Sequence, residues 1–82
     1  MKPIGKIIHY YDKLGVAIVR LSGALKVGDK IKVEGNKNEF EQTVDSIQMD
    51  HKEITAGETG QEVGIKLNQK ANEGALVIKL EG

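Results

Sequence analysis

Val16-Ala17-Ile18-Val19-Arg20-Leu21, then Lys26-Val27-Gly28-Asp29, then Lys30-Ile31-Lys32-Val33-Glu34 read as strand, turn, strand. The first run is β-branched and apolar on both parities, with Val16 and Ile18 on one face and Ala17, Val19 and Leu21 on the other. Such a run suits a central strand. The last run alternates strictly, which places Ile31 and Val33 inward. The turn between them carries a glycine free to take positive φ.

The same grammar extends in both directions. Ile4 to Tyr11 is too short and too β-branched for a helix, and Asp12-Lys13-Leu14-Gly15 turns the chain into the central run. Gly35-Asn36-Lys37-Asn38 reads as a hairpin turn. Glu39 to Met49 is a long, mostly polar strand. Its apolar positions change parity between Val44 and Ile47, which predicts a bulge or bend there. Asp50 to Gly60 reads as a loop plugged by Ile54 and Ala56. Gln61 to Leu67 alternates with Val63, Ile65 and Leu67 on one face. Asn68 to Gly74 is a turn region, and Ala75 to Leu80 is a last strand with Leu76, Ile78 and Leu80 together. Six strands with evenly spaced turns, and one proline at the edge (Pro3), argue for an all-β fold: a closed or nearly closed antiparallel β-barrel over residues 1–82 as a single domain.

Composition removes most chemistries. The chain has 82 residues, no Cys and formal net charge zero. Without cysteine there is no disulfide framework, thiolate metal cluster or cysteine nucleophile, and a reducing, cytoplasmic setting is expected. No apolar run approaches the ~20 residues that span a bilayer. There is no Gly-x-x-x-x-Gly-Lys-Ser/Thr and no Gly-x-Gly-x-x-Gly, so no cofactor is expected. His9 and His51 are the two histidines, and the acids beside His51 in Asp50-His51-Lys52-Glu53 point apart, so no metal site is expected. The two serines and three threonines have no histidine at triad spacing. The reading is of a non-enzyme.

Zero net charge conceals a division. Residues 1–33 hold seven bases and two acids, net +5, and residues 34–82 hold five bases and ten acids, net −5. A basic half is a hint of an anionic partner. If the halves lie on opposite sides the protein has a positive face; if the strands interleave, the division disappears. Aromatic platforms are few. Of Tyr10 and Tyr11 one should face out, while Phe40 belongs to the core.

Ile4-Gly5-Lys6-Ile7, Gly15-Val16-Ala17-Ile18-Val19, Leu25-Lys26-Val27-Gly28-Asp29-Lys30-Ile31, Val44-Asp45-Ser46-Ile47-Gln48-Met49 and Ala56-x-x-x-Gly60-x-x-Val63-Gly64-Ile65-Lys66 occur in one order. Together they resemble the second, β-barrel domain of elongation factor Tu-type translational GTPases, and above all the short stand-alone elongation factor-like proteins. A comparable Val-Gly-Asp turn makes the chain similar also to the C-terminal barrel of U32 peptidase-like proteins. Asn36-Lys37-Asn38-Glu39 resembles a guanine-reading motif, but with no P-loop it reads as a hairpin turn.

The resemblance implies a six-stranded antiparallel Greek-key β-barrel, in agreement with the strand count, without its GTPase domain. In the factors this barrel helps to hold the aminoacylated 3′ end of tRNA or touches ribosomal RNA. Gln48-Met49-Asp50-His51 matches part of that pocket, where the family pattern has Glu first and Arg fourth. Gln48 and His51 keep hydrogen-bonding capacity but lose the permanent guanidinium. Candidate RNA contacts are therefore Gln48 and His51 by family position, with Arg20 and Lys66 as strand cations. The expected partners are tRNA or ribosomal RNA, or alternatively a protein carrying the catalytic or GTPase function. A monomer or weak homodimer is expected.

Overall fold

The computed structural model describes residues 3–35 and 39–80. The turn expected at Gly35-Asn36-Lys37-Asn38, and the guanine-motif look-alike, fall on residues 36–38, outside the described residues. The chain forms β1 (Pro3–Tyr11), β2 (Val16–Leu21), β3 (Leu25–Lys26), β4 (Lys30–Glu34), β5 (Glu39–Thr43), β6 (Ile47–Met49), β7 (Lys52–Ile54), β8 (Ala56–Gly57), β9 (Glu62–Lys66) and β10 (Leu76–Leu80). Eight strands form one antiparallel sheet in the order β5-β4-β10-β1-β2-β9-β6-β7, and β3 pairs with β8.

All six expected strand regions are present, and the count rises to ten for two reasons. Glu39 to Met49 is not one strand. The chain leaves the ladder at residues 44–46, where the apolar parity changes, and resumes as β6. Asp50 to Gly60 is not a plain loop either. It turns at Asp50-His51 and returns as β7, pairing Met49 with Lys52 and Ile47 with Ile54, then adds β8 against β3.

The inward faces follow the alternation. Ala17, Val19 and Leu21 from β2, Ile31 and Val33 from β4, Phe40 from β5, and Val63 and Ile65 from β9 meet in one core with Ile7, Leu25, Val44, Ile47 and Val77. Two places break it. In β1 the register slips between Ile7 and His9, so Ile8 is an extra residue opposite β2. That bulge turns Tyr10 toward the core and leaves Tyr11 45% exposed. In β10 the expected inward set is corrected. Val77 is fully buried opposite Val33 and Gly5, whereas Leu76 faces outward at 36% exposure. Ile78 is also buried, so β10 is apolar on both faces, and alternation could not orient it.

Gln42 draws the sheet together. It sits on the inward parity of β5 between Phe40 and Val44 and is only 5% exposed. Its Nε2 donates to Lys66 O at 2.9 Å and its Oε1 accepts from Asn68 N–H at 2.7 Å. One side chain thus satisfies backbone groups at the end of β9 that no strand reaches. The Lys26-Val27-Gly28-Asp29 turn is as expected. Gly28 has φ 97°, the Asp29 carboxylate accepts from Lys26 N–H at 2.8 Å, and Val44 is tied to both Gly28 and Asp29 by backbone hydrogen bonds.

The strand order interleaves the charge halves. From the first half, β4 lies between β5 and β10 of the second, and β2 lies beside β9. Five ion pairs occur among the described residues: His9–Glu73, Lys30–Glu41, Lys32–Glu39, Lys70–Asp12 and Lys79–Asp29. Each joins residues 1–33 to residues 34–82. The strand order thus mixes the two halves, and of the described Lys and Arg in residues 1–33 Lys30 and Lys32 are paired while Lys6, Lys13, Arg20 and Lys26 have no described carboxylate within 4.0 Å. Among the described residues no helix is long and apolar enough to cross a membrane.

Candidate nucleic-acid interface

The outer faces of β2, β9 and β6 build a shallow surface in registered rows. Arg20 stands opposite Glu62, Ile18 opposite Gly64 and then Gln48, and Val16 opposite Lys66. Gly64 keeps the middle row low. A Cβ there would come within 3.3 Å of Val16 Cγ1 and 3.6 Å of Ile18 Cδ1. Without it, the Val16 and Ile18 side chains settle over the backbone and form an apolar floor.

The β6–β7 turn stands at one side of this floor. Asp50 has φ 53° and His51 φ 64°, so both central residues of a two-residue hairpin are left-handed. That is the geometry of a type I′ turn, usually filled by Asn-Gly. For residues with a Cβ it costs roughly 1–2 kcal/mol each. The turn holds His51 beside Gln48 in a groove of about 330 Å³, together with Tyr11, Leu14, Asp50 and Glu62.

The four candidate residues separate into groups. Gln48 and His51 come together in this groove, and Tyr11 supplies the outward aromatic that one of the two tyrosines was expected to offer. Lys66 lies on the same outer face, at the Val16 row. Arg20 lies four residues away along β2, about 13 Å at strand spacing, and lines a second groove across β1 instead. Asp50 and Glu62 make the first groove acidic at its edges, which suits a sugar, base or amino group better than a phosphate. Gln48 can donate and accept, and His51 can do either or carry a charge. Among the described residues no three His, Asp or Glu side chains come together as a metal cluster.

The tight Asp50-His51 turn was missed because neither residue is glycine. The symmetric placing of Ile47 and Ile54, each three residues from the Asp50-His51 pair, was the signal available. Gln42 was read only as part of a polar strand, although its position between Phe40 and Val44 placed it inward.

Comparison with known proteins agrees with this fold. The family model of elongation factor Tu domain 2 matches residues 15–77. An uncharacterized protease of Methanocaldococcus jannaschii is 37% identical over 79 residues, which cover 95% of this chain but 19% of that protein. The chain therefore spans about a fifth of that relative's length. Two crystal structures of the C-terminal domain of a Geobacillus thermoleovorans U32 peptidase-like protein share the fold. One superposes with a TM-score of 0.92 at 20% identity, covering 98% of this chain and 93% of the other. Its selenomethionine variant gives 0.90 at 22% identity, covering 96% and 100%.

Proposed function

The chain belongs to the elongation factor Tu domain 2 family, and from that membership we propose that it is a non-catalytic binding module that contacts tRNA or ribosomal RNA. One observation carries the reading. Gln48 and His51, the positions matching the family's aminoacyl-end pocket, share a groove with an exposed tyrosine. Tyr11 offers a stacking face worth about 1–3 kcal/mol per base. Gln48 and His51 supply hydrogen bonds to a sugar or base edge. Lys66 tracks a phosphate at the margin, and Arg20 supplies a cation at the far end of the same strand pair. The acidic rim keeps the phosphates outside the groove. With so few cations engaged, binding is weak and only modestly salt-dependent.

Co-sedimentation with ribosomes at rising salt tests this reading. The bound fraction should fall with salt, and Gln48→Ala or His51→Gly should lower it further at every salt concentration. Absence of binding at the lowest salt, or equal binding by the variants, overturns it.

The second reading is an accessory barrel docking onto a separate translation factor or RNA-modifying enzyme. It is favoured by the 37% identical relative, in which the matched stretch is about a fifth of a longer protein. A stoichiometric protein partner that survives nuclease treatment would select it.

A further inference from the structure

The larger groove of the molecule, about 890 Å³, lies away from the β6–β7 turn, on the outer side of β10, β1 and β2. Its chemistry differs from that of the first. Lys6 pairs in register with Arg20 on one side and with Leu76 on the other. Two cations thus face each other directly across the ladder, an arrangement that disfavours the fold. Among the described residues neither has a carboxylate within 4.0 Å, Glu62 included; Lys13, Lys26, Lys52 and Lys66 lack one too, but of these cations only Lys6 and Arg20 stand opposite each other in register. Beside them stand two exposed aliphatics, Leu76 at 36% and Ile8 at 40%. Ile8 is turned outward by the β1 bulge.

We infer that this groove docks an extended segment of a protein partner that carries an acidic residue next to a large aliphatic one. Lys6 and Arg20 together hold one carboxylate, which relieves their mutual repulsion, and Arg20 can engage it with two parallel hydrogen bonds. Ile8 and Leu76 bury the neighbouring aliphatic side chain. The alternative occupant, a nucleic acid, fits less well. The groove has no aromatic side chain on which a base could stack, and the Glu73 carboxylate lines it, held 3.0 Å from His9 Nδ1. One carboxylate can be seated away from Glu73, but a run of phosphates cannot. This surface shares Arg20 with the proposed RNA contacts but none of the residues that line the RNA groove, so loss of one activity leaves the other testable.

Selection of a random peptide display library on the folded barrel tests the inference. Enriched peptides should share an Asp or Glu adjoining Leu, Ile, Met or Val. The double variant Lys6→Glu/Arg20→Glu, checked for folding by its amide NMR spectrum, should bind them at least about tenfold more weakly, the scale of one charge-assisted contact. Lys52→Gln, on β7, should bind them as the parent does. No enrichment, enrichment of peptides lacking acids, or unchanged binding by the double variant overturns the proposal. Displacement of the peptides by a uridylate oligomer also overturns it, and assigns the face to nucleic acid.

Discussion

His51 holds a backbone conformation that its side chain makes costly, φ 64° in a turn where glycine is preferred. His51→Gly is therefore expected to stabilise the barrel by about 0.5–1 kcal/mol in urea unfolding while weakening RNA binding. A variant that loses both stability and binding would make the imidazole a packing group instead. Lys6 poses the same question in charge. It faces Arg20 across the ladder, so Lys6→Glu should raise the unfolding midpoint, by about 0.2–1 kcal/mol. At this scale the sequence was partly legible. It pointed to Gln48 and His51 through a resemblance, and both lie in one groove; alternation left Tyr10 and Tyr11 undecided, and the β1 bulge puts Tyr11 outward. It hid the strain at Asp50 and His51, because backbone dihedrals are not written in residue type unless the residue is glycine.

Strands in this molecule are held by single residues at their crossings. Gln42 is the only described contact by which a β5 side chain satisfies the backbone beyond β9. Gln42→Leu keeps the volume but strands Lys66 O and Asn68 N–H, and should cost about 2–3 kcal/mol in denaturant unfolding. A loss under 0.5 kcal/mol would mean water replaces the amide. Gly5 marks the tightest approach of β1 to β2. A Cβ there would lie 2.5 Å from Val19 Cγ1 and 3.2 Å from Arg20 O. Gly5→Ala should cost about 1–3 kcal/mol, and a double-mutant cycle with Val19→Ala should show coupling between the two sites. Between β4 and β5, the Glu39 carboxylate accepting from Lys32 holds that ammonium above the ordinary lysine value of 10.5. A raised value adds stability below that pH and loses it as pH rises past it, so Lys32→Gln should flatten the alkaline limb of the stability profile. Strand positions were legible wherever one face was apolar. β10 was placed too, but its inward face was not, because it is apolar on both faces, and β7 and β8 are too short to show a period.

Across the whole molecule, strand order converts a chain with a basic beginning and an acidic remainder into interleaved strands tied by ion pairs that all cross between the halves. Each such exposed pair contributes at most about 1 kcal/mol, and the described surface carries an acidic-edged groove beside the β6–β7 turn and a groove lined by Lys6 and Arg20 across β1 and β2. That order could not be read from the sequence, because nothing local records that β10 inserts between β4 and β1. The functional claim therefore rests on one groove. Amide NMR mapping of the barrel titrated with an RNA acceptor stem bearing a single-stranded 3′ end tests it most directly. The account predicts shifts concentrated at Tyr11, Gln48, His51 and Gly64, diminished by His51→Gly. Unchanged spectra, or shifts centred on Lys6, Ile8 and Leu76, would contradict it.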